Sequence, residues 1–313
     1  MGCFDFAIVS DVHLYTNAGS GPGAGIPANF RKVIAQLVAL APRFVVVSGD
    51  STGGNPNDGA SRQKVDGWWR AFAEAIEPLR QAGIAVLGIA GNHDYYTKNQ
   101  KEGFHAAWSH LGAAEEQMAL AAMSVGSHSQ CPRFYSVQVD DLHLALLHVV
   151  DQDLPTEVAD FLRRDAEEET ASSLRLCIGH VPLVSMMGRT SNSFRDELGS
   201  LLVDLGYSAY FAGHEHLVWE QSLEFPNGNL HHIHVGTASG TYHFPLNRKT
   251  YETHCQQNQG TLPYAGQRFL LEPGTRQQAD KVNLCLVHVQ DGTYSVSHLS
   301  LRDDTLQPFG IEA

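Results

Sequence analysis

The sequence predicts a mixed α/β fold built on two sheets. In the N-terminal part, short apolar runs alternate with segments of helical periodicity, which is the rhythm of parallel strands joined by right-handed crossovers. The later part is rich in short strand-like runs, which indicates a second sheet. At 313 residues, with 43% hydrophobic and 18% charged residues, the chain can form a sizeable apolar core.

The N-terminal elements alternate strand and helix. The strands are predicted from short continuous apolar runs, typical of strands buried on both faces. The helices are predicted from apolar residues recurring every three or four positions, and Pro42 and Gly83 end them. In order, we expect a strand at Phe4–Ser10, a helix at Ala28–Ala41, a strand at Phe44–Ser48, a helix at Ser61–Ala82 and a strand at Ile84–Ile89.

The rest of the chain contains more strands than helices. Asp140-Asp141 separates two strand-like runs, which indicates a hairpin. The strands at the end predict a second sheet that is largely antiparallel. The predicted strands are Phe134–Val139, Leu142–Val149, Leu174–Ile178, Ala209–Ala212, Leu217–Leu223, His231–Val235, Asn283–Val289 and Tyr294–Leu301, and the predicted helices are Pro155–Glu169 and Phe194–Leu205.

The absence of an internal repeat or a linker in the sequence predicts one domain over residues 1–313. Two long segments, about 95–132 and 243–281, are predicted to be loop insertions, and shorter loops are predicted at Tyr15–Pro27 and Ser51–Ala60. Loops of this length in a compact domain usually have a function. We expect them to form the rim that selects the substrate.

Composition restricts the partners and the compartment. The net charge of −13 argues against a stable nucleic-acid partner, which would require a basic surface. The five cysteines are scattered without a C-x-x-C pair, which argues against a disulfide framework and a zinc ribbon. No apolar run reaches the roughly 20 residues of a membrane span, and no signal-like segment precedes the first strand. We therefore expect a cytoplasmic protein that does not associate with a membrane, while its oligomeric state stays open.

Residues that can bind metals follow five of the predicted strands. In open α/β sheets the carboxyl ends of the strands form the ligand-binding edge. All the donors are oxygen or imidazole nitrogen, which favours a site for two metal ions. Asp11 and His13, two apart in an extended segment, would point to one face. The segments are Asp11-Val12-His13, Gly49-Asp50, Gly91-Asn92-His93-Asp94, Gly179-His180 and Gly213-His214-Glu215-His216.

This ordered set, over about residues 4–240, resembles the signature of the calcineurin-like metallophosphoesterase superfamily. The resemblance implies a four-layer αββα sandwich of two mixed sheets with a dinuclear metal site at the strand ends. It also implies two divalent cations, Mn, Fe or Zn, with Asp50 as the principal bridge. The implied ligands are Asp11, His13 and His216 for one metal, and Asn92, His180 and His214 for the other, with Asp11 commonly shared.

The resemblance further implies a mechanism of phosphoester hydrolysis. Water activated by the two metals would attack phosphorus, and the leaving alkoxide would need a proton. His93 is the candidate acid, and Asp94 would orient its imidazole. Glu215, between two ligands, should point away from the metals. Five further histidines alternate with apolar residues in strands and are predicted to be structural: His143, His148, His231, His232 and His234.

Departures from the motifs of known subfamilies narrow the range of possible substrates. No arginine follows Asp50 as it does in protein Ser/Thr phosphatases, and Gly53 stands where purple enzymes place a tyrosinate ligand. The motifs resemble those of purple-acid-phosphatase-like and cyclic-nucleotide-phosphodiesterase-like members more closely. We predict a phosphomonoesterase acting on a small phosphorylated metabolite, with Arg189 and Tyr95 as substrate contacts. The alternatives are a phosphodiesterase acting on cyclic nucleotides or other diesters, and a non-enzymatic metal-dependent scaffold.

Overall fold

Two mixed β-sheets form the centre of the molecule. The computed structural model describes residues 2–14, 27–111, 122–168, 174–185, 191–239 and 282–308. The strands are Phe4–Val9 (β1), Phe44–Ser48 (β2), Ala85–Ile89 (β3), Ser124–Val125 (β4), Tyr135–Val139 (β5), Leu142–Leu146 (β6), Leu174–Ile178 (β7), Ala209–Ala212 (β8), Val218–Phe225 (β9), Gly228–Val235 (β10), Asn283–Gln290 (β11), Thr293–Arg302 (β12) and Thr305–Pro308 (β13). The helices are Ala28–Leu40 (α1), Arg62–Gln81 (α2), Lys98–Leu111 (α3), Thr156–Glu168 (α4) and Asn192–Asp204 (α5).

The first sheet has the strand order β13-β12-β11-β1-β2-β3, and the second has the order β4-β5-β6-β7-β8-β10-β9. The predicted parallel arrangement of β1, β2 and β3 is confirmed. The prediction that the C-terminal strands belong to a largely antiparallel second sheet holds for the antiparallel pair β9 and β10 and was wrong for the rest. β11 pairs antiparallel with β1 in the first sheet, and β6, β7, β8 and β10 run parallel in the second. Local patterns predict that a strand exists, but its partner is chosen by long-range packing.

Three apolar cores separate four layers. Phe6 and Ile8 of β1 lie in the core between the two sheets, whereas Ala7 and Val9 face the helices outside. This alternation follows from the two-residue period of a strand. Helices α1, α2 and α3 cover the outer face of the first sheet, and α4 and α5 cover that of the second. The αββα sandwich is therefore confirmed.

Helix α2 shows why these segments are helical. Its N-cap is Ser61, whose side chain accepts a hydrogen bond from the Lys64 backbone N–H. Its buried face contains Val65, Trp69 and Phe72, at the three- and four-residue spacing of a helix that packs on a sheet. The helix is followed by Gly83, whose φ of +75° is the left-handed conformation that glycine adopts readily.

The predicted loop insertion at 95–132 contains a helix, so this prediction was partly wrong. In α3, Phe104 and Trp108 are four residues apart and both are fully buried in the first core. That spacing is the helical signal that the polar residues around it obscured. The predicted insertion at 243–281 lies outside the described residues. In the part of the chain that the structure describes, no helix is both long and apolar enough to cross a membrane.

Candidate metal centre

The ligand segments lie side by side where the strands of both sheets end. The loop after β1 is tied to the loop after β2, because Asp11 N donates to Gly49 O at 3.1 Å and His13 N donates to Asp50 O at 2.9 Å. In the second sheet, Gly213 N donates to His180 O at 3.0 Å. The backbone alone therefore gathers these segments at one edge of the sandwich.

Most of the predicted ligands have a left-handed backbone. Asp11, His13, Asp50, His214 and His216 have φ values between 49° and 73°. The extended geometry predicted for Asp11 and His13 was therefore wrong, although both side chains reach the same site. A left-handed non-glycine residue costs on the order of 1 kcal/mol or more, and such residues concentrate at functional sites.

Glycines before the ligands allow the loops to approach closely. A Cβ on Gly49, whose φ is +96°, would lie 2.4 Å from His180 Nδ1. A Cβ on Gly91 would lie 2.1 Å from Asp50 Oδ1. Both distances are far below van der Waals contact, so each glycine is required by the packing of ligand against ligand.

The first group of ligands consists of Asp11, His13, Asp50 and His216. His216 Nε2 lies 2.9 Å from His13 Nε2 and 3.1 Å from Asp11 Oδ1. His13 Nε2 lies 3.6 Å from Asp50 Oδ2. Donor atoms about 2.1 Å from one cation are roughly 3–3.5 Å apart, so these separations fit a shared metal ion.

The second group consists of Asp50, His180 and His214, with Asn92 beside them. Asn92 Oδ1 lies 3.1 Å from His180 Nε2 and 2.8 Å from His214 Nδ1. Asp50 Oδ2 lies 3.3 Å from His180 Nε2. The same oxygen of Asp50 therefore belongs to both groups, as expected of a ligand that bridges two ions.

Each aspartate keeps one oxygen for the protein and one for a metal. Asp11 Oδ2 accepts from His214 N at 2.9 Å, and Asp50 Oδ1 accepts from His93 N at 2.8 Å. Asp11 Oδ1 is buried beside His216 Nε2, at 3.1 Å, but forms no well-oriented hydrogen bond with any described residue. A buried carboxylate oxygen without a donor is unfavourable unless a cation binds it. The residues present therefore fit a dinuclear centre.

The charges of the site favour cation binding. Burial alone would raise the pKa of Asp50, but His180 and His13 outweigh it and hold that pKa well below its usual value. Burial opposes protonation of His180, yet the neighbouring Asp50 raises its pKa to about 9. Burial and the charge of His180 lower the pKa of His214 to about 4. Because only neutral imidazole binds a metal, metal binding must displace a proton from His180.

A carbonyl group selects the tautomer of His180. Its Nδ1 donates to Ser48 O at 2.8 Å, which leaves Nε2 as the ligand atom. Ser48 is the last residue of β2, and His180 follows β7, so this bond also joins the two sheets.

His93 lies beside the metal ligands, whereas the Asp94 carboxylate faces the loop that follows Asp50. His93 lies beside the ligands, with its ring 4.7 Å from that of His13, and its Nδ1 donates to Gly54 O at 2.6 Å. The Asp94 carboxylate instead accepts hydrogen bonds from the Ser51, Thr52 and Gly91 N–H groups. Gly54 therefore orients the imidazole, and Asp94 holds the loop that follows Asp50. A backbone carbonyl has no side-chain signature, which is why sequence reasoning missed Gly54.

The predicted substrate residues are only partly described. Arg189 lies outside the described residues. Tyr95 packs against His148 and Phe104, with ring centroids 4.2 and 6.0 Å away. Its neighbour Tyr96 is the tyrosine beside the ligands, because its hydroxyl accepts a hydrogen bond from Asn92 Nδ2. From the sequence, Tyr96 was considered only as a residue that could stack on a substrate, and Tyr95 was preferred as the substrate contact, although the position of Tyr96 four residues after Asn92 was a usable signal in a helical turn.

Other buried polar residues lie outside the two ligand groups. Glu215 is buried and points away from the metal ligands, accepting a hydrogen bond from the Ser185 hydroxyl. His143 binds Asp165 at 2.8 Å, far from the metal centre in the fold. None of the five histidines predicted to be structural belongs to the two ligand groups found among the described residues.

A protein-family model, calcineurin-like phosphoesterase, matches residues 4–218. The chain belongs to this family. The match covers all seven predicted ligands, and membership in the calcineurin-like phosphoesterase family supports a metal-dependent phosphoric ester hydrolase. A comparison with curated protein sequences finds no match.

Solved structures share the fold at low sequence identity. A purple acid phosphatase from yellow lupin (Lupinus luteus) seeds is 12% identical, with a TM-score of 0.64, and the match covers 98% of this chain. The chain spans only 53% of the lupin enzyme. A Plasmodium protein, described as the anchor in the inner membrane complex, is 12% identical with a TM-score of 0.59, and the match covers 100% of this chain and 90% of that protein. At 12% identity, these similarities show only that this calcineurin-like phosphoesterase shares its fold with the two proteins.

Proposed function

We propose that this protein is a dinuclear-metal-dependent phosphomonoesterase that hydrolyses a small phosphorylated metabolite. The observation that carries the proposal is the position of Asp50 Oδ2, 3.6 Å from His13 Nε2 and 3.3 Å from His180 Nε2. One oxygen shared by two ligand groups is the arrangement that holds two cations close together. When bound, these cations would supply a water-derived nucleophile at neutral pH and neutralise charge on the phosphate oxygens.

His93 supplies the proton for the leaving group in this proposal. Its Nδ1–H donates to Gly54 O, so the ring is fixed and its Nε2 is available to the substrate. Transfer of the Nε2 proton to the ester oxygen lets it depart as a neutral alcohol. Asp94 acts indirectly, because its bonds to Ser51 and Thr52 hold the loop that begins at Asp50.

The fold shared with a purple acid phosphatase favours a monoester substrate over a diester. The Plasmodium anchor protein, in contrast, favours the scaffold as a second candidate, because the same fold there has a described structural role. The complete ligand set supports the enzyme, since a scaffold has no need to keep all seven donors, five of them in strained backbone conformations.

The test compares p-nitrophenyl phosphate with bis-p-nitrophenyl phosphate after chelation and restoration of Mn²⁺, Zn²⁺ or Fe²⁺. We expect activity to require added metal and to favour the monoester. Preference for the diester would replace the monoesterase with a phosphodiesterase. Metal binding without turnover of either compound would leave the scaffold as the better proposal.

The acid role of His93 is tested with His93→Asn, which keeps a donor near Gly54 O. We expect turnover of an alkyl phosphate to fall by about 10²–10³-fold, because the alkoxide leaves poorly without a proton. Turnover of p-nitrophenyl phosphate should fall much less, since nitrophenolate leaves unprotonated. Equal losses on both substrates, at unchanged metal content, would show that His93 is not the acid.

A further inference from the structure

The side-chain amide of Asn92 has two ends that are almost identical in shape but opposite in chemistry. Its Oδ1 lies 3.1 Å from His180 Nε2 and 2.8 Å from His214 Nδ1. Its Nδ2 donates to the hydroxyl of Tyr96. Only the oxygen end of an amide can bind a cation, so the ligand role of Asn92 depends on which end faces the two histidines.

We infer that Tyr96 is a positioning residue of the metal centre, which holds the Asn92 amide with its oxygen toward His180 and His214. The inference rests on the proposed function, because it requires that Asn92 binds a metal. The Tyr96 hydroxyl is an acceptor placed at the nitrogen end of the amide. Turning the amide over would lose that bond and bring an NH₂ group against the cation.

The local backbone brings Tyr96 into this position. Asn92–Asp94 forms a 3₁₀ turn, and Tyr96 follows Asn92 by four residues. The Tyr96 ring stands edge-on to His93, with centroids 5.3 Å apart, and the residue is 40% exposed. The half-exposed side chain is therefore held both by its contact with the His93 ring and by the hydrogen bond from Asn92.

The adjacent tyrosine provides a natural control. Tyr95 has its hydroxyl 3.0 Å from His105 Nε2, and its ring packs against Phe104 and His148. The same substitution at 95 and 96 removes one hydroxyl in each case, but only the hydroxyl of Tyr96 contacts a metal ligand. Any difference between the two variants therefore reports on Asn92.

The first experiment titrates Mn²⁺ or Co²⁺ into chelated wild type, Tyr96→Phe and Tyr95→Phe, and fits two binding sites. Loss of a partner that orients a metal ligand lowers metal affinity by roughly 10–100-fold. We expect a loss of about tenfold or more at one site in Tyr96→Phe, with the other site and the melting temperature of the metal-free protein unchanged. Tyr95→Phe should bind both ions like the wild type.

The second experiment removes the difference between the two ends of the side chain. Asn92→Asp has two equivalent oxygens, so its orientation no longer matters. We expect Tyr96→Phe in this background to change metal affinity by less than about twofold, which is far below the roughly tenfold loss expected when residue 92 is asparagine. In Co²⁺-loaded protein, the visible spectrum should change with Tyr96→Phe only when residue 92 is asparagine.

The outcomes separate the inference from the proposed function. Two results would overturn the inference while the proposed function stands. In one, Tyr96→Phe binds both ions as tightly as the wild type. In the other, Tyr96→Phe lowers metal affinity by the same factor whether residue 92 is asparagine or aspartate. If wild type binds no divalent ion at either site, the proposed function fails, and the inference fails with it.

Discussion

Two clusters of histidines and carboxylates among the described residues differ in what they can bind. One is the metal centre. The other, the Glu220 cluster, consists of Glu220, His231 and His298, where β9 and β10 face β12. Glu220 Oε2 lies 3.5 Å from His231 Nε2 and 3.5 Å from His298 Nε2. Tyr294 OH and Cys285 Sγ bind the other nitrogens of these imidazoles, at 2.9 and 3.3 Å.

The difference comes from the backbone that carries the side chains. In the metal centre, five of the seven donors stand on residues with left-handed φ, which turn them toward common points. In the Glu220 cluster the three residues stand on regular strands, where the pleat sets their spacing. Among the described residues, two groups bring three or more donor atoms within 4.8 Å of one another, and both belong to the metal centre. A set of ligating side chains is therefore not enough to make a metal site.

The largest effect is expected at the residue that joins the two ligand groups. Asp50→Asn removes the charge of the bridge, so we expect loss of bound metal and a fall in turnover of about a thousandfold or more, equivalent to several kcal/mol. Metal content is measured by mass spectrometry of the desalted protein. Glu220→Gln is the control in the second cluster and should keep wild-type metal content. Loss of metal from Glu220→Gln would contradict the conclusion that the Glu220 cluster is not part of a metal site.

A second prediction tests the backbone directly. Gly91→Ala would place a Cβ 2.1 Å from Asp50 Oδ1, whereas the same change at Gly67 in α2 meets its nearest atom at 3.8 Å. We expect Gly91→Ala to lose metal affinity and about 2–4 kcal/mol of unfolding free energy, because the loops must separate. Gly67→Ala should be neutral or stabilising by up to about 1 kcal/mol. Equal behaviour of the two variants in urea unfolding would contradict the backbone argument.

The smallest effect concerns the Glu220 cluster and its pH dependence. Burial opposes ionisation of Glu220, but His231 and His298 outweigh it and hold its pKa well below the usual value. A lowered pKa contributes stability above the unfolded pKa of about 4.3, which is lost as the pH falls through the folded pKa. In the metal-free protein, Glu220→Gln should therefore cost about 1–3 kcal/mol at pH 7, and progressively less as the pH falls below about 4 toward the folded pKa.

The control for this prediction lies on the same strand. Glu224 of β9 is exposed, so Glu224→Gln should change the free energy of urea unfolding by less than about 0.5 kcal/mol at either pH. If Glu220→Gln matches the wild type at pH 7, the buried carboxylate does not stabilise the interface between the sheets.

The sequence was most informative where residues that can bind a metal directly follow a recognisable strand. The seven ligands were recognisable because each ligand segment follows an apolar run and begins after a small residue, and the family match covers them all. The pairing of β11 with β1 was not predictable, because about 280 residues separate them and both have ordinary strand patterns. The role of Asp94 was mispredicted because its neighbour in sequence, His93, is bound by a carbonyl from another loop. Contacts to backbone atoms leave no trace in residue identity.

The division of the ligands between the two sheets has a consequence for biogenesis. Asp11, His13, Asp50 and Asn92 follow strands of the first sheet, whereas His180, His214 and His216 follow strands of the second. A nascent chain that has emerged only as far as β6 carries three oxygen ligands and a single ligand histidine. Neither ligand group is complete until β8 has formed and the sheets have docked. Complete coordination of either cation therefore requires that both sheets have formed and docked, so bound metal stabilises only chains in which both halves are assembled.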